Sequence, residues 1–385
     1  FRMSVQKLLQ DAKAASAAMG RANSAAKNQA LENIASELES SSQLIIAANQ
    51  LDMTAAETNG VSLALQDRLR LDQSRVASLA IALRKIAQLE DPIGESVRGM
   101  TLANGVLVQQ VRVPFGVIGC IYEARPNVTI DIAGLAIKSG NCAVLRGGSA
   151  AENTNKSLIG VIQAGLEKTG LPKSAVSTVD PFGRDGAVEL MKANGLVDVL
   201  IPRGSASLIR AVVTESTVPV IETGDGVVHI FVDASADIAT AIPIIINSKV
   251  QRPSVCNALE TLLVHADAAQ KLLPALAKEL KENGVTVHGC QQTLLHIPYA
   301  IPATDDDWAT EYLSLDLAIR VVANLDSALS HIAEFSTKHT ESILTSDASN
   351  AERFLAEVDS SVVMVNSSTR FTDGGEFGFG AEVGI

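Results

Sequence analysis

A cysteine attacks carbon as its thiolate, and of the four cysteines in this chain Cys256 has the setting for it. It lies in Asn247-Ser248-Lys249-Val250-Gln251-Arg252-Pro253-Ser254-Val255-Cys256-Asn257, just ahead of an expected strand. Lys249 and Arg252 are placed to lower the thiol pKa, and Pro253 holds an irregular loop. The bland use of such a residue is as a small buried apolar side chain, and Cys120 and Cys142, inside apolar runs, keep that use.

Acyl chemistry at a thiolate needs donors for a developing oxyanion and cations for the anionic parts of its ligands. Glu123-Ala124-Arg125-Pro126-Asn127 follows an expected strand. Asn127 reads either as the N-cap of the next helix or as an amide donor to an oxyanion. Leu145-Arg146-Gly147-Gly148-Ser149 and Pro202-Arg203-Gly204-Ser205 each follow a strand and open a helix. There, backbone N–H groups, the helix dipole and Arg146 suit a phosphate, although each is also an ordinary strand-to-helix turn. Glu222-Thr223-Gly224-Asp225-Gly226 brings carboxylates to a strand end, and Gly374-Gly375-Glu376-Phe377-Gly378-Phe379-Gly380 is a loop over substrate or a turn-rich return. No GxGxxG, Walker loop or HExxH occurs, so a bound nucleotide would be held without the usual glycine fingerprint. His288 and Cys290 stand two apart without further ligands nearby, which reads as a surface strand and predicts no metal site.

These residues need a scaffold that gathers strand ends. The first ninety residues read as helix, with stripes at Val5, Leu8, Leu9 and at Leu31, Ile34, Leu38, and with Asn23 and Ser24 where an N-cap belongs. Residues 101–113 turn to β-branched alternation around Asn104-Gly105, a hairpin arm that must pack on something else, such as a second subunit. From Gly116 to Ile221, strands at 117–122, 142–145, 175–179, 197–201 and 218–221 alternate with helices at 128–139, 152–168, 185–192 and 205–213. Short apolar strands joined by amphipathic helices predict a doubly wound parallel sheet with ligands beyond its carboxyl ends. A second series, with strands at 259–264, 317–322 and 362–365 and helices at 267–282 and 327–334, predicts another α/β domain, the cleft between the two being the expected site.

Size and charge narrow the classes. At 385 residues one undivided core is excluded, and 47% hydrophobic content excludes a disordered chain. A formal charge of −12 without a basic stripe speaks against nucleic acid. Four cysteines make no disulfide framework, no apolar run spans a bilayer, and the N-terminus has no signal-peptide core. The expectation is a reduced, soluble, cytoplasmic protein with no membrane partner.

In this order the clusters resemble the aldehyde dehydrogenase superfamily. Its pattern is matched by Pro114-Phe115-Gly116-Val117, then Asn127, Gly140-Asn141, Arg146, Gly204-Ser205, Glu222 and Cys256. IYEARPNVTIDIAGLAIKSGN, LRGG, IPRGS, ETGDGVVH, QRPSVCNALETLLVH and GGEFGFGAEVGI are closer still to the branch that works on an acyl phosphate, and the likeness covers essentially the whole chain. That branch carries a further C-terminal segment, whereas this sequence ends at Ile385.

The resemblance implies an α/β aldehyde dehydrogenase-like fold. An NADP-binding domain would occupy 1–100 and 114–226, a β-hairpin oligomerisation arm 101–113, a catalytic domain 227–366 and a glycine-rich return 367–385. It implies NADPH-dependent reduction of L-glutamyl 5-phosphate to L-glutamate 5-semialdehyde and phosphate in proline biosynthesis, by a homo-oligomer (dimer or tetramer) coupled functionally to a glutamate kinase. Cys256 would form the thioester, with Asn127 and the Cys256 backbone N–H as oxyanion donors. Arg146, Ser149, Gly204, Ser205 and Glu311 would hold the cofactor. A small hydroxyl at 149 and an arginine at 146 suit a 2′-phosphate, hence NADP(H). Glu311 reads equally as a surface residue, and Glu222, the water activator of hydrolytic relatives, as a structural or proton-handling group. Arg125, Lys249, Arg252 and Glu123 are candidates for the substrate's amino acid head. The competing readings are a hydrolytic aldehyde dehydrogenase and a non-catalytic binding module.

Overall fold

The computed structural model describes residues 4–123, 125–222, 224–382 and 384, with the backbone alone at 63, 64 and 206. Helices lead the chain: α1 (Val5–Arg21), α2 (Ser24–Ser40), α3 (Ser42–Thr58), α4 (Leu63–Leu69) and α5 (Gln73–Gln88). Side chains cap three of their N-termini, Ser4 for α1, Asn23 for α2 and Asp72 for α5, each accepting from a backbone N–H in the first turn. Asn23 is the cap, and Ser24 is already helical. The apolar stripes face inward, with Leu8, Leu9, Leu31, Ile34 and Leu38 buried.

The hairpin is longer than expected. β1 (Ser96–Thr101) pairs antiparallel with β2 (Leu107–Val111), so its first strand begins before residue 101. Leu102 N–H donates to the Val106 carbonyl at 2.8 Å, and Gly105 takes φ +85° in the turn. Val97, Leu107, Val108 and Val111 are exposed on it.

The strand–helix alternation follows: β3 (Val117–Tyr122), α6 (Pro126–Lys138), β4 (Cys142–Arg146), α7 (Glu152–Lys168), β5 (Val176–Thr178), α8 (Gly183–Met191), β6 (Val199–Arg203) and α9 (Ala206–Glu215). They form a four-stranded parallel sheet in the order β5-β4-β3-β6. The strand expected at 218–221 is not one. Val220 makes only an isolated parallel bridge to Leu200, because Pro219 has no N–H to continue a ladder. Cys120 and Cys142 are buried in the sheet, where burial pushes each thiol up to about 12.

The chain divides into two compact units, residues 4–222 and 224–382. The second contains β7 (Val228–Val232), α10 (Ile238–Val250), β8 (Leu259–His265), α11 (Ala266–Glu282), β9 (Thr286–Gly289), α12 (Gln291–His296), β10 (Ile301–Pro302), β11 (Asp316–Val322), α13 (Leu325–Phe335), β12 (Thr340–Leu344), α14 (Ala348–Glu357) and β13 (Val362–Val365). Its sheet is parallel throughout, in the order β10-β9-β11-β8-β7-β12-β13. On β8, Leu262 and Val264 pack into one core cluster and Leu263 into another. Both faces are therefore covered, as parallel sheets require.

One strand here was not expected, and one expectation fails. β12 reads Thr-Glu-Ser-Ile-Leu, too polar to suggest a core strand, yet every residue in it is buried. Glu341 is tolerated because it accepts the His229 backbone N–H at 2.8 Å and meets the His229 ring at 3.1 Å. His288, expected on a surface strand, lies on β9 between β10 and β11. Its ring nitrogens meet Asp316 at 3.0 Å and Asp307 at 3.3 Å, and it stacks on Tyr312. Among the described residues no helix is long and apolar enough to cross a membrane.

Candidate active site

In the second unit the nucleophile candidate sits on the turn between α10 and β8. α10 starts at Asp237, whose carboxylate caps it, and its last turn delivers Lys249 to the interior. Lys249 Nζ and Glu260 Oε2 are 2.6 Å apart with both side chains fully buried, and the ammonium lies over the Tyr312 ring. Lys249 is thereby removed from two expected roles. It does not reach out to a substrate, and its charge is answered by Glu260 rather than by the thiol. Arg252 is exposed on the turn.

Cys256 keeps accessible surface, yet protein atoms crowd its sulfur. Burial, followed by the charge of Glu311, pushes the thiol above its ordinary value. Its own backbone N–H, bonded to the sulfur, and Arg370 pull the other way, while Glu382 adds to the rise. The net shift is upward, opposite to the lowering expected from Lys249 and Arg252. A Cβ on Gly226 would stand 2.0 Å from the Cys256 carbonyl oxygen, so only glycine lets the strand entry pack against this turn. The Gly226 N–H also donates to the Glu311 carboxylate, which burial holds above its usual range. Glu311 is thus a half-buried neighbour of the sulfur and not a free surface side chain.

The sign of these effects is testable. Alkylation of Cys256 by iodoacetamide is expected to rise with pH, with a midpoint above the ordinary cysteine range. Glu311→Gln removes a negative charge that opposes the thiolate and should move that midpoint down. A midpoint below the ordinary range, or one unmoved in the variant, would contradict this electrostatic account.

In the first unit Asn127 is the second residue of α6, after Pro126, and the N-cap is Arg125. The N-cap reading of Asn127 therefore fails. Its amide Nδ2 donates to Asp131 Oδ2 at 3.0 Å, one turn along, which fixes the side chain and leaves the nitrogen a second N–H. Burial raises the Asp131 carboxyl, and the Asn127 amide opposes that.

The two strand-end turns differ. At the first, the Arg146 guanidinium is 4.0 Å from Asp180, and its Nε is buried without a hydrogen-bond partner. The Gly147 N–H donates to Asp180 at 2.7 Å, and a Cβ at Gly147 would collide with the Asn155 amide. Ser149 is exposed where a short 3₁₀ turn leads into α7. At the second, Ser205 precedes α9 and donates to Glu123 Oε1 at 2.6 Å, while its backbone N–H meets Glu123 Oε2 at 3.2 Å. The anion on this helix start is thus the chain's own carboxylate, and Glu123 is occupied there rather than extended toward a substrate. Glu222 is exposed at the end of the unit.

Three participants escaped the sequence reading. Asp180 follows a strand and faces Arg146, and its sequence signal is a strand-end carboxylate beside Pro181. Glu260 lies inside an apolar run and gave no signal. Arg370, in Ser368-Thr369-Arg370-Phe371, stands just before the glycine-dense stretch, and its only sequence signal is a cation adjoining such a loop. The 374–379 glycines form turns, pinned where the Gly374 N–H donates to Glu382 at 2.7 Å.

Comparison with known proteins shows the family. The aldehyde dehydrogenase family profile matches residues 2–293. The γ-glutamyl phosphate reductase of Clavibacter michiganensis subsp. michiganensis is 60% identical over 381 residues, 99% of this chain and 88% of its own. That of Leifsonia xyli subsp. xyli is 59% identical over 374 residues, 97% of this chain and 89% of its own. The crystal structure of γ-glutamyl phosphate reductase from Thermotoga maritima superposes with a TM-score of 0.96 at 45% identity, covering 100% of this chain and 92% of that one.

Proposed function

The chain belongs to the aldehyde dehydrogenase family and, within it, to the γ-glutamyl phosphate reductases; we propose that it reduces L-glutamyl 5-phosphate with NADPH. The products are L-glutamate 5-semialdehyde and inorganic phosphate, a step of proline biosynthesis. The observation that carries the reading is the setting of Cys256: an accessible sulfur on a turn, with glycine backbone packed against it and a guanidinium near enough to favour its thiolate.

The thiolate attacks the acyl carbon, the carbon–oxygen bond to phosphate breaks, and phosphate leaves with the electron pair, giving a thioester on Cys256. The nicotinamide, when bound, supplies the hydride that brings the acyl group to the aldehyde level. Collapse breaks the carbon–sulfur bond and returns the thiolate. The tetrahedral oxyanion formed on attack is assigned to the second N–H of Asn127 and the backbone N–H of Cys256. The latter must turn from its own sulfur to serve.

The residues present fit a nicotinamide dinucleotide. The orphaned Arg146 Nε and the exposed Ser149 hydroxyl suit an extra phosphate on the ribose, which favours NADP(H) over NAD. Asp180, the acidic neighbour of Arg146, orders the Gly147 turn. Gly204 and Ser205 would take a phosphate of the dinucleotide only after Glu123 has turned away, and Glu311 would hold the nicotinamide ribose. Water attack on the thioester would waste the activated acyl group, so Glu222 is read as a structural or proton-handling residue. The exposed hairpin is read as the subunit contact of a homo-oligomer, dimer or tetramer, and the enzyme as cytoplasmic and coupled to the glutamate kinase that makes its substrate.

The test runs the reaction backward. With glutamate 5-semialdehyde and NADP⁺, NADPH should form only when inorganic phosphate is present, with Cys256→Ala as the blank. Equal rates without phosphate would make water the acceptor, restore Glu222 as general base and replace this reading by the hydrolytic one.

A further inference from the structure

The segment before the glycine-dense stretch is tied to the start of the nucleophile turn. Ser368 Oγ donates to Asn247 Oδ1 at 2.6 Å, Ser248 Oγ accepts the Thr369 N–H at 3.2 Å, and the Arg370 N–H donates to Ser368 Oγ at 3.2 Å. From this anchor the Arg370 guanidinium spans the base of the loop that carries Cys256. Its Nε donates to Gln251 Oε1 at 3.1 Å and its Nη1 to Asn257 Oδ1, while the Asn257 amide donates to the Thr372 carbonyl at 2.7 Å. Both partners are neutral amides. They fix the plane of the guanidinium without cancelling its charge, and among the described residues no carboxylate forms an ion pair with it. Two of its five N–H groups are used in this way, which leaves a fork on Nη1 and Nη2.

The charges around it do not cancel its own. Partial burial and the nearby positive charge of Arg252 disfavour its protonated form, and Asp373 and Glu382 compensate only in part. The Asp373 carboxylate accepts the Gly375 N–H and that of Glu382 accepts the Gly374 N–H, so both are engaged in the adjoining turn. The Arg370 guanidinium, bonded to Asn257 next to Cys256, and Arg252, exposed on the same turn, are two cations of the kind that suits a doubly charged anion. The phosphate of an acyl phosphate is bonded directly to the carbon that the sulfur attacks, whereas the substrate's carboxylate is a single charge further along its chain.

We propose that Arg370, with Arg252, is the subsite that grips the phosphate of the acyl phosphate and holds inorganic phosphate as it leaves or, in reverse, as it attacks. The fork suits bidentate contact with phosphate oxygens. Charge placed there also stabilises negative charge growing on the bridging oxygen as the bond breaks. The inference rests on the function proposed above.

The test is the reverse reaction with NADP⁺ and glutamate 5-semialdehyde, varying inorganic phosphate. Arg370→Met should raise the KM for phosphate roughly 10–100-fold, from the loss of charged hydrogen bonds, with the KM for the semialdehyde little changed. Arg370→Lys, which keeps the charge without the fork, should fall between the two, and Arg252→Gln should show a smaller rise in phosphate KM alone. A higher semialdehyde KM with phosphate unaffected would overturn the proposal and give Arg370 to the substrate's carboxylate. A phosphate-independent wild type would instead overturn the function itself, and the two failures are separable because only the second shows in the unmutated protein. Should Arg370→Met not fold, phenylglyoxal labelling of Arg370 in the wild type decides the matter. Inorganic phosphate should slow the labelling, and no slowing overturns the proposal.

Discussion

Cys256→Ala is expected to abolish turnover, with a loss on the order of 10⁵–10⁶ in kcat, as for other enzymes whose covalent step loses its nucleophile. The thioester is the only route in this scheme by which phosphate leaves before hydride arrives, so no partial path survives. The fold should not register the change. Cys256 keeps accessible surface on a turn and belongs to none of the buried core clusters among the described residues, so the stability shift should stay within about 0.5 kcal/mol. The two readouts separate the roles: intact thermal unfolding with absent turnover identifies chemistry, and a matched loss of both identifies packing. Mass spectrometry adds the direct check, since an acyl adduct should form on the wild type and not on the variant. Retention of more than a few per cent of wild-type activity would remove Cys256 from the mechanism.

Asn127→Ala comes next in expected size, a loss of about 10²–10³ in kcat with a nearly unchanged KM, the usual effect of deleting one oxyanion donor. A second consequence follows from Asp131. Its part-buried carboxyl loses the Asn127 amide, which is expected to cost about 1 kcal/mol of stability. Asn127→Asp tests the donor itself, because it keeps the shape of the side chain while replacing N–H by oxygen beside Asp131. It should be at least as inactive as the alanine variant. An aspartate variant with near-normal kcat would return Asn127 to the ordinary business of a helix's first turn.

Much of the scaffold was legible because it is encoded locally. The apolar runs of β3 and β13 and the helical period of α7 predict those elements at the bounds the structure shows, and Asn23 caps α2 as its type and place suggest. Cys256 was legible too, as a thiol on an irregular loop between helix and strand. The electrostatics assigned to it were not. Lys249 is seven residues from Cys256 in sequence, but helical geometry turns it into the core, where Glu260, on a neighbouring strand, takes its charge.

By itself, then, the sequence determined the periodicities and the strand–helix alternation, since each depends on neighbours a few residues away, and it singled out Cys256 and Asn127 as the candidate nucleophile and amide donor. Tertiary structure alone decided which charges meet. Glu123 lands on the start of α9 from 82 residues away, Glu341 meets His229 across 112, and Arg370 reaches Asn257 across 113. The burial of charge and the loss or gain of a counterion are properties of these long-range pairings, and a local pattern carries no record of which strand ends a sheet will bring together. The cation beside the sulfur is therefore Arg370 and not the lysine nearer to it in the chain.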